Sequence, residues 1–254
     1  MGSGKARDID AALVGWEFKP GEVNARRLTA SDGRIVLQMR VDLGLLQLEV
    51  AGRPDGTRPE GHRTFLDFLR AEAGETPGNP EAGAAFTMAD DQCAEADREF
   101  LQFYHRRLCW LALGEFDRAV ADADHNLAFM DFVKRHAPNP EYAASHEQYR
   151  SFVLFHRTQA AAAAAVERGR AEDAVDAIRD GLRRIGDFFS EHDLAERMSE
   201  DEMVRRLQDM ERELRERFEI RRTLKERFEA AVASEQYELA ARLRDQLRAR
   251  DGHR

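Results

Sequence analysis

The stretch "GEFDRAV" (114–120) returns 55 residues later as "GRAEDAV" (169–175). Each lies between two long segments with helical apolar spacing, and both follow one physical logic. Gly114 and Gly169 each end a helix, since glycine readily takes the left-handed backbone of a helix C-terminus. Phe116 wedges between the flanking helices, while Ala119 and Ala174 are small enough to let those helices cross closely. An apolar residue follows at helical spacing in both copies, Leu127 and Leu182. "AEADREFLQFYHRRLCWLALG" with "EFDRAVADADHNLAFMDFVKRH" therefore reads as one helical hairpin. "EYAASHEQYRSFVLFHRTQAAAAAAVERG" with "RAEDAVDAIRDGLRRIGDFF" reads as a second, and its six alanines (160–165) suit a close helix-packing surface. The fold is expected to be mainly α.

These turns resemble the tetratricopeptide repeat, whose unit has a turn glycine, an aromatic two residues on and a small alanine three further. The resemblance implies a tetratricopeptide-like helical domain over 88–190. Two departures qualify it. Ala171 stands where the second unit would carry its aromatic, and the offset of 55 exceeds the usual period of about 34. The extra residues lie around Pro138 and Pro140. Repeat-like hairpins are expected, but not a regular superhelical array.

Towards the N-terminus the period changes from helical to two. In "RIVLQMRVDL", Ile35, Leu37, Met39, Val41 and Leu43 fall on one side, with Gln38, Arg40 and Asp42 opposite. That alternation predicts a half-buried strand. Ser31-Asp32-Gly33 predicts the hairpin turn ahead of it. Leu46, Leu48 and Val50 alternate in shifted phase, which a turn or bulge at Asp42-Leu43-Gly44 explains. A small antiparallel sheet of two or three strands is expected within a region 14–73. Alone it would be marginal, so it is expected to pack on a helix, "RTFLDFLRAEA" (63–73). Residues 74–87, rich in glycine and proline, read as a linker.

Towards the C-terminus, no proline or glycine occurs between Gly186 and Gly252. Met203, Leu207, Met210, Leu214 and Phe218 form a narrow stripe with a stutter at Leu214–Phe218. A connecting helix over 200–221 is expected. Continued unbroken to 233, it would span about 50 Å at 1.5 Å per residue. So narrow a stripe serves one partner helix, either in the same chain or in a second copy joined through 200–233.

The last segment, "LKERFEAAVASEQYELAARLRDQLRAR" (224–250), reads as an antiparallel hairpin. Ala231, Ala240 and Ala241 let two helices approach. Phe228 and Tyr237 fill the open end, and Ser234 is expected to cap the second helix. The segment resembles the UVR motif of the bacterial nucleotide-excision subunits UvrB and UvrC, also found in Clp-protease regulators and arginine-kinase activators. The match runs through Leu224, Phe228 where the family usually has methionine or another apolar residue, and Ala231. It continues through Tyr237-Glu238, Ala240-Ala241, Leu243-Arg244-Asp245 and Leu247. Gln236 stands where the family usually has an acid. The resemblance implies a UVR-like hairpin over 222–250 that binds another protein. Leu224, Phe228, Tyr237, Glu238, Ala240, Ala241, Arg244, Asp245 and Leu247 would be its partner-binding residues, with Arg244 and Asp245 as polar specificity contacts. The plainer alternative is that this pair braces its own hairpin. The whole chain also looks like UVR-containing bacterial proteins.

Composition narrows the function. The 254 residues are 43% hydrophobic and 34% charged, with a net charge of −9. That balance argues against a protein drawn to nucleic acid by charge, which needs clustered cations, so tight DNA binding is not expected. Two cysteines and a polar N-terminus suggest a cytoplasmic protein, and no apolar run is long enough to span a membrane. The sequence "GRPDG" (52–56) reads as a turn, and no phosphate loop, dinucleotide fingerprint or nucleophile elbow occurs. Cys93, His105 and Cys109 lack a second compact ligand pair, and the remaining histidines are expected at the surface or locally bonded. Asp122/Asp124 and Glu196/Glu200 read as solvated helix faces. No catalytic residue, metal or cofactor is expected. The reading is a non-enzymatic adaptor or scaffold. The alternatives are an accessory protein of nucleotide excision repair that meets UvrB or UvrC, or a regulator of a Clp-type protease or a protein kinase.

Overall fold

The computed structural model describes residues 9–76 and 85–251; the centre of the linker read at 74–87 lies outside the described residues. The chain is mainly helical with one small N-terminal sheet. It divides into two compact units at Tyr149/Arg150, so the two long helical hairpins fall in different units. Among the described residues no helix is long and apolar enough to cross a membrane.

In the first unit, a short helix α1 (Asp10–Leu13) precedes β1 (Asn24–Thr29), β2 (Ile35–Val41) and β3 (Gly44–Glu49). They form an antiparallel sheet in the order β1-β2-β3. Gly33 turns the first hairpin at φ 86°, and the Ala30 amide donates to the Arg34 carbonyl at 2.7 Å. Asp42-Leu43 forms the second turn. It sets Leu37 opposite Leu48 and Met39 opposite Leu46, which accounts for the phase shift between the strands.

The alternation is less clean than expected. Val36 and Leu37 are both buried, while Ile35, at the strand end, is exposed. The cause is that the supposed solvent face is covered. The Arg26 guanidinium lies 4.0 Å from the Trp16 ring, and it donates to the Ala12 carbonyl and to Gln38 Oε1. Gln38, expected outside, is therefore buried and passes the ladder on to Gln47.

The helix that covers the sheet also differs from expectation. It is α3 (Asp90–Ala112), which packs on β1 and β2, whereas α2 (Phe65–Glu72) packs on α3. α3 pairs with α4 (Phe116–His136) through the Gly114 turn, φ 73°. There the Glu115 amide reaches the Trp110 carbonyl and the Gly114 amide reaches Leu111, a Schellman ending. Ala119 is fully buried at this crossing. The core gathers Phe65, Leu66, Leu69, Phe129, Phe132 and Val133.

One carboxylate read as solvent-facing turns inward. Asp122 is 4% exposed and takes a two-pronged bond from Arg106, with Nε to Oδ2 at 2.9 Å and Nη2 to Oδ1 at 2.7 Å. His136 and His146 are buried as well. The first meets Glu75 and the Phe86 carbonyl. The second meets Asp97, tying α5 (Pro140–Glu147) to α3.

The second unit begins where one continuous helix was expected. A turn at Gln148-Tyr149 separates α5 from α6 (Arg150–Glu167). α6 pairs with α7 (Ala171–Glu191) through Gly169, φ 70°, and Ala160, Ala162, Ala164 and Ala165 are buried. α8 (Glu202–Arg217) follows a 3-10 turn and packs on α7 and α6. Leu207 of its stripe is fully buried there, and so is Val204, which takes the buried place expected for Met203.

The helix expected to run through 221 stops at Arg217. Glu219 adopts φ 54°, and the Ile220 amide bonds the Arg215 carbonyl. The break falls at the stutter, where the apolar stripe would rotate off its partner.

Candidate functional site

After this break the chain forms α9 (Leu224–Ala233) and α10 (Tyr237–Asp251), which pack antiparallel. Thr223 and Glu226 form a capping box at the start of α9. The Thr223 side chain takes the Glu226 amide, and the Glu226 carboxylate takes the Thr223 amide at 2.7 Å. Ala231, Ala240 and Leu243 are buried between the helices, with Leu224 and Phe228 packed against them. Small residues at 231 and 240 leave no long side chain to hold the backbones apart, so Leu243 fills the seam with Leu224 and Phe228 against it.

The base of this hairpin is fixed to α7. The Thr223 hydroxyl donates to Asp176 Oδ1 at 2.6 Å, and the Leu224 amide donates to Glu172 Oε2 at 3.1 Å. From α10, Arg250 reaches Glu172, Asp173 and Asp176 at 3.1–3.4 Å. Arg215 at the end of α8 pairs with Glu226 at 2.7 Å. Burial pushes the Asp176 carboxyl up despite its Thr223 and Arg250 bonds. Burial acts on Glu226 as well, but Arg215 and the Thr223 amide outweigh it and hold that carboxyl below its ordinary value.

The other end is free of such anchors. Tyr237 is 69% exposed, and Val232 and Leu239 beside the turn are 47% and 36% exposed. Tyr237 was expected to fill the open end of the hairpin; instead it projects outward from the first position of α10. Ser234, expected to cap α10, is the C-cap of α9. Glu235 carries the left-handed backbone, φ 55°, and the Gln236 amide closes on Ala231. A non-glycine residue there costs about 1–2 kcal/mol, against about 0.5–1 kcal/mol for the entropy of an added glycine. Glu235→Gly should therefore stabilise the hairpin by about 0.5–1 kcal/mol. The readout is a higher denaturant midpoint at unchanged slope.

The nine residues picked from the sequence thus separate into two groups. Leu224, Phe228 and Ala240 serve the hairpin's own core, with Ala241 and Leu247 half-buried. Tyr237, Glu238, Arg244 and Asp245 face outward. Positions 237 and 244 are seven apart, as are 238 and 245, so each pair lies on one side of α10. Arg244 and Asp245 bond each other at 3.1 Å and make no bridge to α9 among the described residues. Val232 and Leu239 were missed because each looks like an ordinary helical apolar residue. Arg250 was missed because its acidic partners lie more than 70 residues away.

Elsewhere the reactive side chains are muted. Cys93 and Cys109 are free and buried on α3, and burial pushes the Cys109 thiol up to about 12. Among the described residues no group of three or more His, Cys, Asp or Glu is arranged to hold a metal ion.

None of the curated proteins and none of the solved structures matches this chain. The family model UVR, described as the UvrB/uvrC motif, matches residues 219–249, from the break after α8 to the end of α10. The two-helix hairpin is a UVR motif.

Proposed function

We propose that this chain is a non-enzymatic interaction adaptor whose C-terminal hairpin presents its outward face to a protein partner. The observation that carries the reading is the division within the hairpin. Its base is clamped to α7 by Thr223 and Arg250, while Val232, Tyr237, Leu239 and the Arg244–Asp245 pair stand unburied around its tip and outer side. Partly exposed tyrosine and arginine on a rigid support are the residue types that dominate protein interfaces. α8 supports this placement, since Val204 and Leu207 are spent inside their own unit and are not open to a second copy at 200–233.

The test compares the immobilised full chain with Tyr237→Ala, Arg244→Ala and a chain lacking 222–254 in native lysate. Both point variants should keep their melting temperature, since exposed substitutions typically change stability by less than about 0.5 kcal/mol. Retention of the partner should fall about tenfold or more in at least one of them, and vanish with the deletion. Retention that survives both substitutions, or that falls only in step with stability, would reduce the motif to a structural hairpin.

A second reading has its own support in the motif match at 219–249. The chain would then be an accessory of nucleotide excision repair that meets UvrB or UvrC. Identifying the retained protein separates it from the broader adaptor role, and from regulation of a Clp-type protease or a protein kinase.

A further inference from the structure

The first unit contains a cleft that the hairpin reading does not use. It lies between the loop after β3, the start of α2, and the facing sides of α3 and α4, with a volume of about 430 Å³. That is in the range of small-ligand sites, about 300–1,000 Å³.

Some of its charged groups are already committed. Arg106 and Asp122 neutralise each other, and Arg106 Nη1 also bonds the Glu49 and Gly52 carbonyls. Glu99, fully buried behind the cleft, accepts the Phe65 and Leu66 amides at 2.6 and 3.1 Å, with His125 Nε2 at 3.0 Å. Backbone amides can only donate, so the Glu99 oxygens accept from both. The His125 ring is held flat on Phe103, with centroids 3.6 Å apart.

Other groups are uncommitted. Among the described residues the Arg63 guanidinium, the Asp67 carboxylate and His125 Nδ1 have no hydrogen-bond or ion-pair partner, and all three residues line the cleft. Arg118, 4.8 Å from the Trp110 ring, is by contrast paired with Glu115 at 3.5 Å and bonds the Val50 carbonyl at 3.4 Å. The cleft thus offers an unpaired cation and an unpaired anion beside the small apolar side chains of Val50, Ala51 and Ala121. A simple anion would meet Asp67 unfavourably, and a simple cation would meet Arg63 unfavourably.

We propose that the cleft binds a small zwitterion, a free amino acid or a close relative. Its carboxylate lies on Arg63, its ammonium lies on Asp67, and its side chain lies along Val50, Ala51 and Ala121. This site belongs wholly to the first unit and stands independently of the hairpin reading.

Titration calorimetry on the full chain tests it, with each of the twenty amino acids as probe and with acetate and methylammonium as half-ligands. At least one amino acid should bind once per chain with Kd of about 1 mM or tighter. Arg63→Ala and Asp67→Asn should each weaken that binding about tenfold or more. Each half-ligand should bind about tenfold more weakly than the intact zwitterion. Both positions lie at the surface of the cleft, and unchanged tryptophan emission verifies that the variants are folded. The proposal fails if no amino acid saturates a site, if both substitutions leave binding intact, or if acetate binds as well as the amino acid.

Discussion

Arg106→Met should destabilise the first unit by about 3–5 kcal/mol, the cost of stranding one member of a buried ion pair. Arg106 is 4% exposed and makes four bonds that join three parts of the chain. Two go to Asp122 on α4 and two to the Glu49 and Gly52 carbonyls after β3, all from a side chain rooted in α3. Methionine matches the apolar stem of arginine in length, and what it gives up at Phe103 is the guanidinium that lies 4.5 Å from the ring. What remains is a buried Asp122 without its cation and two carbonyls without their donor.

The measurement is unusually clean. Trp16 and Trp110 are the chain's only tryptophans, and both lie in the first unit. Intrinsic fluorescence during denaturation therefore follows that unit alone, whatever the second unit does. Adding Asp122→Leu should return part of the loss, because replacing a buried pair by apolar residues is often near neutral while removing one partner is not. A loss below about 1 kcal/mol for Arg106→Met would mean that cleft water screens the pair as at a surface.

Arg106 also shows why part of the fold was hidden in the sequence. Asp122 sits among Asp117, Asp124 and other polar residues and reads as one more solvated carboxylate. Its partner lies 16 residues earlier on the preceding helix, and no local spacing announces a pair that forms only when two helices meet. Glu99 and His125 are hidden for the same reason, and with them most of the cleft. Features closed by local chemistry were legible. Gly114, Gly169 and Gly33 each mark a turn that needs positive φ, and β2 and β3 have the period of strands. The end of α8, which has no glycine, was not. Glu219 adopts the same left-handed backbone that glycine signals elsewhere, so the early stop at Arg217 escaped notice. The hairpin was legible as a motif because its spacing of small and apolar residues is local. Which of its side chains face outward depended on where the turn began.

The strongest packing constraint in the second unit predicts that Gly181→Ala is destabilising, although alanine is the better helix former. An added Cβ at Gly181 on α7 would lie 2.0 Å from Thr158 Oγ1, 2.5 Å from its Cγ2 and 2.7 Å from its Cβ on α6. Thr158 cannot swing aside cheaply. It is 2% exposed, β-branched, and its hydroxyl donates to the Leu154 carbonyl at 2.7 Å. Nor can the helices part without opening the extensive α6–α7 packing, in a unit where Ala160, Ala162, Ile178 and Ile185 are all buried. Overpacking of this kind costs about 1–3 kcal/mol and occasionally more, and contacts this short put it at the upper end. Helix propensity returns about 1 kcal/mol, leaving a net loss of about 2 kcal/mol. The second unit has no tryptophan, so the loss should appear by circular dichroism as an earlier helical transition while tryptophan emission keeps its midpoint. Thr158→Ala in the same chain removes the two γ atoms and should recover part of the stability, so that the double variant exceeds Gly181→Ala alone. Were Gly181→Ala instead neutral or stabilising, propensity would have won, and α6 and α7 would not cross as closely as Gly181 and Thr158 require.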